Sequence, residues 1–232
     1  MKLLKNDVVS NLVTDDNHKA SADLKVNLPG RMSMIGFIMD LPNIVTLCGL
    51  LSAFLGIYFA MLGQIQLAVI GGLWAVLFDW LDGLVASKMK GRTDDHRAFG
   101  GQLDSLIDIV SFGVLPAIIL LSYTNYNHWA IPVGFAIIGA CAIRLSYFNL
   151  YGLTGGKTYT GLPVDNNGLI VSLAFLFERF FDKTSFSIVL GVVLIAVVAF
   201  NLSSVQIPKF SKKWLYAIAV YVIGVTIYLS TM

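Results

Sequence analysis

Apolar and polar positions divide the chain near residue 40. Residues 1–30 mix charged, polar and apolar side chains without a sustained run, whereas from residue 41 long apolar stretches alternate with short polar breaks. Seven stretches stand out, at about 41–62, 66–88, 99–123, 128–150, 166–181, 186–205 and 213–231. A helix crossing the hydrocarbon core needs about 20 apolar residues. The pattern therefore predicts an all-α, polytopic transmembrane helix bundle in which the fifth stretch is the shortest. RMSMIGFIMD at 31–40 is too short to cross and is bounded by Arg31 and Asp40, which predicts an interfacial helix leading into the membrane. Nothing in 1–30 has the apolar core of a cleaved signal peptide. The expected organisation is a polar cytoplasmic arm over 1–30, the interfacial helix over 31–40 and a transmembrane domain over 41–232.

Composition narrows the class. Of the 232 residues 56% are hydrophobic and 13% charged, against about 25% charged in a soluble domain. That excludes disorder, a secreted disulfide scaffold, a nucleic-acid binder and most water-soluble enzymes. A net charge of +2 gives no bulk field to draw an acidic partner. Cys48 and Cys141 lie in separate apolar runs and read as small buried hydrophobes, not a redox pair. If the stretches cross in turn, fourteen of the sixteen Lys and Arg residues fall on the side of the N-terminal arm, and only Arg179 and Lys183 on the other. The excess of positive charge marks the fuller side as cytoplasmic. The expectation is an integral protein of the inner membrane with its N-terminus inside, seven crossings and its C-terminus outside.

Four aspartates interrupt the apolar pattern at the cytoplasmic ends of the second and third stretches. Asp79 and Asp82 are three residues apart and Asp104 and Asp108 four apart, so each pair shares a helix face. A charged Asp in a spanning helix costs roughly 2.5–3.5 kcal/mol on insertion scales, and converging like charges add repulsion. Divalent cations offset this best: hard, oxygen-seeking Mg²⁺ or Mn²⁺ suits carboxylates, and a pair of such ions can clamp a phosphoryl group. Gly83 follows Asp82, Ala86 lies one turn beyond it, and Gly100 one turn before Asp104, so a ligand can approach the backbone there. Gly71, Gly72 and Gly101 read as helix-packing positions. Asp94 and Asp95, among Arg92, His96 and Arg97, read as a solvated loop. A proton or cation carrier is the rival class for buried acids, although it places them more typically near the midplane beside broken helices.

Asp79-x₂-Asp82-Gly83-x₂-Ala86 followed by Gly100-x₃-Asp104-x₃-Asp108 resembles the signature of the CDP-alcohol phosphatidyltransferases. The resemblance implies six core transmembrane helices, to which the seven apolar stretches add a seventh, together with a homodimer and an active site open to the cytoplasm and the lipid. It implies that the four aspartates bind two divalent cations, Mg or Mn, holding the diphosphate of CDP-diacylglycerol, and that Asp108 is the base for the incoming alcohol. LPNIVT at 41–46 is similar to the family's first-helix segment, which brings Asn43 and Thr46 to the cytidine end beside Gly83, Ala86 and Gly100. Where the family usually has Arg after the Ala, this chain has Ser87 and then Lys88, the candidate for the missing positive charge.

Within the family, LDSLIDIVSFGVLPA at 103–117, AIRLSYFNL at 142–150 with YTGLP at 159–163, and NLSSVQIPKFSK at 201–212 resemble the membrane-integral phosphatidylserine synthases. Serine is thus the favoured acceptor, ahead of glycerol 3-phosphate, inositol, inositol phosphate and choline. Two departures stand out. Ser146-Tyr147 replaces a common Ala-Arg pair, and Val164-Asp165-Asn166-Asn167 replaces the usual small residues after GLP. The polar triplet has two readings, a changed acceptor pocket or a capped helix start. Arg144, in the fourth stretch, is the candidate for the acceptor carboxylate or a lipid phosphate, because its planar fork suits either anion; the alternative is a snorkelling Arg at the membrane edge. Lys157 in TGGKTYTG is a weaker candidate, since that loop lacks the strand and spacing of a P-loop.

Overall fold

The computed structural model describes residues 33–209 and 214–231; the expected arm over 1–30 lies outside them. The chain divides after residue 36, and residues from 37 onward form the larger, compact unit. Within the stretch expected to be interfacial, Met34–Ile38 forms one short helix, α1. The larger unit is a helix bundle. It contains α2 (Leu41–Met61), α3 (Ile65–Lys88), α4 (Asp94–Asp108), a π-helical turn (Ile109–Val114), α5 (Leu115–Tyr123) and α6 (Ala130–Tyr151). After a short strand β1 (Thr158–Thr160) come α7 (Asp165–Phe175), α8 (Lys183–Asn201), strand β2 (Gln206–Pro208) and α9 (Trp214–Ser230). Among the described residues five helical segments are long and apolar enough to span: α2, α3, the continuous run Asp94–Tyr123, α6 and α8. The chain is an integral membrane protein, and the outward helix faces carry large exposed apolar side chains such as Phe135, Tyr216 and Val220.

The helices start and stop for local reasons. Pro42 sits in the first turn of α2, where its missing N–H costs nothing. The backbone turns at Gly63, with φ +74°, between α2 and α3. A Cβ built on Gly71 of α3 would lie 2.7 Å from Gly56 Cα and 2.8 Å from Ser52 O of α2, so these two backbones touch, as small residues allow in membranes. Thr93 caps α4 by accepting from the His96 N–H. Asp94 and Asp95, expected in a loop, are the first turn of that helix, where acidic groups complement the helix dipole.

The fifth stretch differs from the expected full-length span. α7 has 11 residues, about 16 Å of helix, and gives way at Phe175 to turns and a 3₁₀ segment, Glu178–Phe180. α9 has 17 described residues. The fifth stretch nonetheless runs end to end. Asp165 at its start bonds Trp80 near the end of α3, and Glu178 accepts from Gln66 near the start of α3. Lys183 likewise reaches Asn125 after α5. The odd-numbered connections thus gather at one end of the bundle. At the other, β1 from the α6–α7 connection pairs antiparallel with β2 from the α8–α9 connection, Tyr159 opposite Ile207. This ribbon is absent from the sequence expectation. The core between the ends includes Phe112, Phe175 and Phe186, all essentially inaccessible, with Tyr123, Phe175 and Phe186 in mutual edge-to-face contact.

Candidate active site

α3 and α4 present their acidic faces to each other at the ribbon end of the bundle. One carboxylate oxygen from each of Asp79, Asp104 and Asp108 lies within 4.8 Å of the others. Asp82 sits one turn along α3, buried, and its Oδ2 accepts from the Thr46 hydroxyl of α2. All four aspartates and Thr46 line one small void. Among the described residues the ion pairs are Asp40–Arg92 and Asp94–Arg97, and neither includes an aspartate of the cluster. Closely gathered carboxylates of this kind, all oxygen donors, fit Mg²⁺ or Mn²⁺.

The turn carrying Asp108 is fixed from behind. The helix changes to π geometry directly after it; π-turns depart from the regular i−4 ladder and recur at functional sites. Phe112 O, inside the π-turn, accepts from Cys141 Sγ of α6 at 3.3 Å and from Asn167 Nδ2 of α7 at 3.2 Å. Asn167 Oδ1 in turn accepts from Asn201 Nδ2 at 3.1 Å. Cys141 is therefore a buried hydrogen-bonding neighbour of the acidic helix, whereas Cys48, also expected to be buried, is partly exposed.

A cavity of about 380 Å³ opens beside the acids, and its lining includes Asp79, Asp104, Asp108, Arg144, Tyr159 and Asp165. Arg144 is 6% exposed, and its Nε and Nη2 have no hydrogen-bond partner among the described residues. Its guanidinium carbon stands 5.1 Å from the Phe148 ring centroid and 5.4 Å from that of Tyr159, a stacked arrangement that stabilises the cation. Burial raises the Tyr159 phenol, with the Asp165 charge adding to the rise, so its hydroxyl stays protonated at neutral pH.

The other expected site residues are dispersed around this centre. Gly83 borders the cavity, and no atom lies within 4 Å of where its Cβ would be. Gly100 faces away from that space: a Cβ there would lie 3.0 Å from both Asn43 Oδ1 and Arg92 Nη2. Asn43 is buried and donates to Phe37 O at 2.8 Å, while Arg92 pairs with Asp40 at 2.7 Å. Asn43, Gly100, Arg92 and Asp40 thus form one clasp between the heads of α2 and α4. Ala86 is half-buried and Lys88 exposed, both outside the residues bordering the cavity, whereas Ser87 and Lys209 border it. Sequence reasoning missed Trp80, Tyr159 and Lys209 as site residues. Asp165 carried a signal in its departure after GLP.

A family model described as CDP-alcohol phosphatidyltransferase matches residues 39–225. The chain is 39% identical over 171 residues to archaetidylserine synthase of Methanothermobacter thermautotrophicus, covering 73% of this chain and 70% of that protein. It is 31% identical to CDP-diacylglycerol–serine O-phosphatidyltransferase of Helicobacter pylori, covering 75% and 74% of the two chains. To the protein of that name in Methanocaldococcus jannaschii it is 30% identical over 201 residues, 86% and 87% of the two.

Proposed function

The chain belongs to the CDP-alcohol phosphatidyltransferase family, and from that premise we propose that it transfers the phosphatidyl group of CDP-diacylglycerol to the hydroxyl of L-serine, giving phosphatidylserine and CMP. The observation carrying this reading is the convergence of Asp79, Asp104 and Asp108 within 4.8 Å beside a cavity where the buried Arg144 has nitrogens free to bind an anion. Asp79, Asp82, Asp104 and Asp108 would hold two Mg²⁺ or Mn²⁺ ions, which supply charge neutralisation at the diphosphate. The lipid enters from the side with its acyl chains left in the membrane, and the open backbone at Gly83 admits the nucleotide end. Asp108 accepts the proton of the serine hydroxyl as that oxygen attacks the lipid-side phosphorus. The bond to CMP breaks and CMP leaves with the electron pair. Arg144 holds the serine carboxylate through its planar donors.

In this reading the acidic end faces the cytoplasm, in keeping with the charge distribution of the connections. The membrane is the inner one, and the assembly is the homodimer that the family resemblance implies. The deciding experiment is CMP release from CDP-diacylglycerol in detergent or liposomes. Serine, glycerol 3-phosphate, inositol, inositol phosphate and choline are offered separately as acceptors. Serine-dependent release is the expected result, and release driven only by another alcohol would overturn the acceptor assignment.

A further inference from the structure

Asp165 is a fourth carboxylate in the cavity, and it is distinct from the cluster that suits metal ions. That cluster comprises Asp79, Asp104 and Asp108, while Asp165 stands at the start of α7. Its Oδ2 accepts from Trp80 Nε1 at 2.8 Å and its Oδ1 from Asn166 Nδ2 at 3.2 Å. It has no ion-pair partner among the described residues. Its place in the first turn of α7 accounts for an acid at that position, but not for the indole donor from another helix that holds it.

Arg144 supplies the second observation. It borders the same cavity, is more than nine-tenths buried, and leaves Nε and Nη2 without partners among the described residues. A buried charge left uncompensated is costly, yet among the described residues these two form no ion pair. A ligand carrying a carboxylate and an ammonium on one carbon would answer both charges at once.

Resting on the serine reading above, we propose that Asp165, oriented by Trp80, binds the ammonium group of the acceptor and so selects a zwitterionic amino alcohol over alcohols lacking the nitrogen. The Asp-Asn-Asn departure after GLP is then part of the acceptor pocket as well as a helix start.

The test compares serine with 3-hydroxypropionate, which keeps the hydroxyl and carboxylate and lacks the amine. Both are assayed for CMP release by the full-length protein with Mg²⁺ and CDP-diacylglycerol. In Asp165→Asn the ratio of kcat/KM for serine to that for 3-hydroxypropionate is expected to fall at least tenfold, chiefly through the KM for serine. Trp80→Phe keeps the carboxylate but removes its indole donor, and is expected to lower the same ratio several-fold. It serves alone should Asp165→Asn not fold. An unchanged ratio in whichever variant folds overturns the role of Asp165 and leaves the serine reading standing. A wild-type protein that consumes glycerol 3-phosphate but not serine overturns the serine reading itself, and this inference with it.

Discussion

The hydroxyl of Thr46 on α2 donates to Asp82 Oδ2 on α3, so the second acid of the first pair is oriented by a neighbouring helix. Thr46 also donates to Pro42 O at 2.9 Å; a single hydroxyl hydrogen serves one acceptor at a time, and the carboxylate is the stronger one. Removing a partner that orients a ligating carboxylate typically costs 10–100-fold in metal affinity or activity. Thr46→Val should therefore raise the Mg²⁺ concentration needed for half-maximal CMP release about tenfold, with Thr46→Ser close to wild type. A metal titration of both variants checks this.

Asp104→Asn keeps the shape of the cluster and removes one charge from it. CMP release should fall at least a thousandfold while the protein remains folded, as judged by its elution in detergent. EDTA should silence the wild-type protein in the same assay, with activity returning on adding Mg²⁺ or Mn²⁺. Substantial turnover by Asp104→Asn, or indifference to EDTA, would count against the metal assignment.

Arg144 can be probed with ethanolamine, which is serine without its carboxylate. Arg144→Gln should raise the KM for serine tenfold or more and leave the rate measured with ethanolamine nearly unaltered. Arg144→Lys should recover only part of the loss, because an ammonium cannot reproduce the stacked, forked contact. If the Arg instead served the lipid phosphate, both acceptors would suffer equally.

Gly71 offers a test of the frame. Because its missing Cβ would fall 2.7 Å from a backbone atom, no side-chain rearrangement can accommodate a larger residue. Gly71→Val should destabilise the bundle by about 1–3 kcal/mol or more, as overpacking does, and lower the melting temperature in detergent. Gly139, with open space around its Cβ position, is the control and should tolerate Ala.

The acids were legible in the sequence because helical spacing alone puts Asp79 with Asp82 and Asp104 with Asp108, and burial in an apolar run demands compensation. The start of α4 was not: Asp94 and Asp95 read as a solvated loop from their charged neighbours, whereas they open a helix capped by Thr93. The π-turn after Asp108 left no trace, since Ile109–Val114 is as apolar as any ordinary helix. Nor did the clasp of Asp40 and Arg92, whose partners are separated by two helices and meet only through tertiary packing. β1 and β2, three residues each, are too short for an alternating pattern to register. The fifth stretch was measured by hydropathy, which does not register that the α-helix ends at Phe175.

The seam between Gly56 and Gly71 bears on how a protein of this build can change over generations. Residues on its outer faces can drift freely with the oils around them, one bulky group traded for another. At the seam no such trade exists, because a newcomer at position 71 would need its neighbour at 56 to shrink, and a glycine has nothing left to give up.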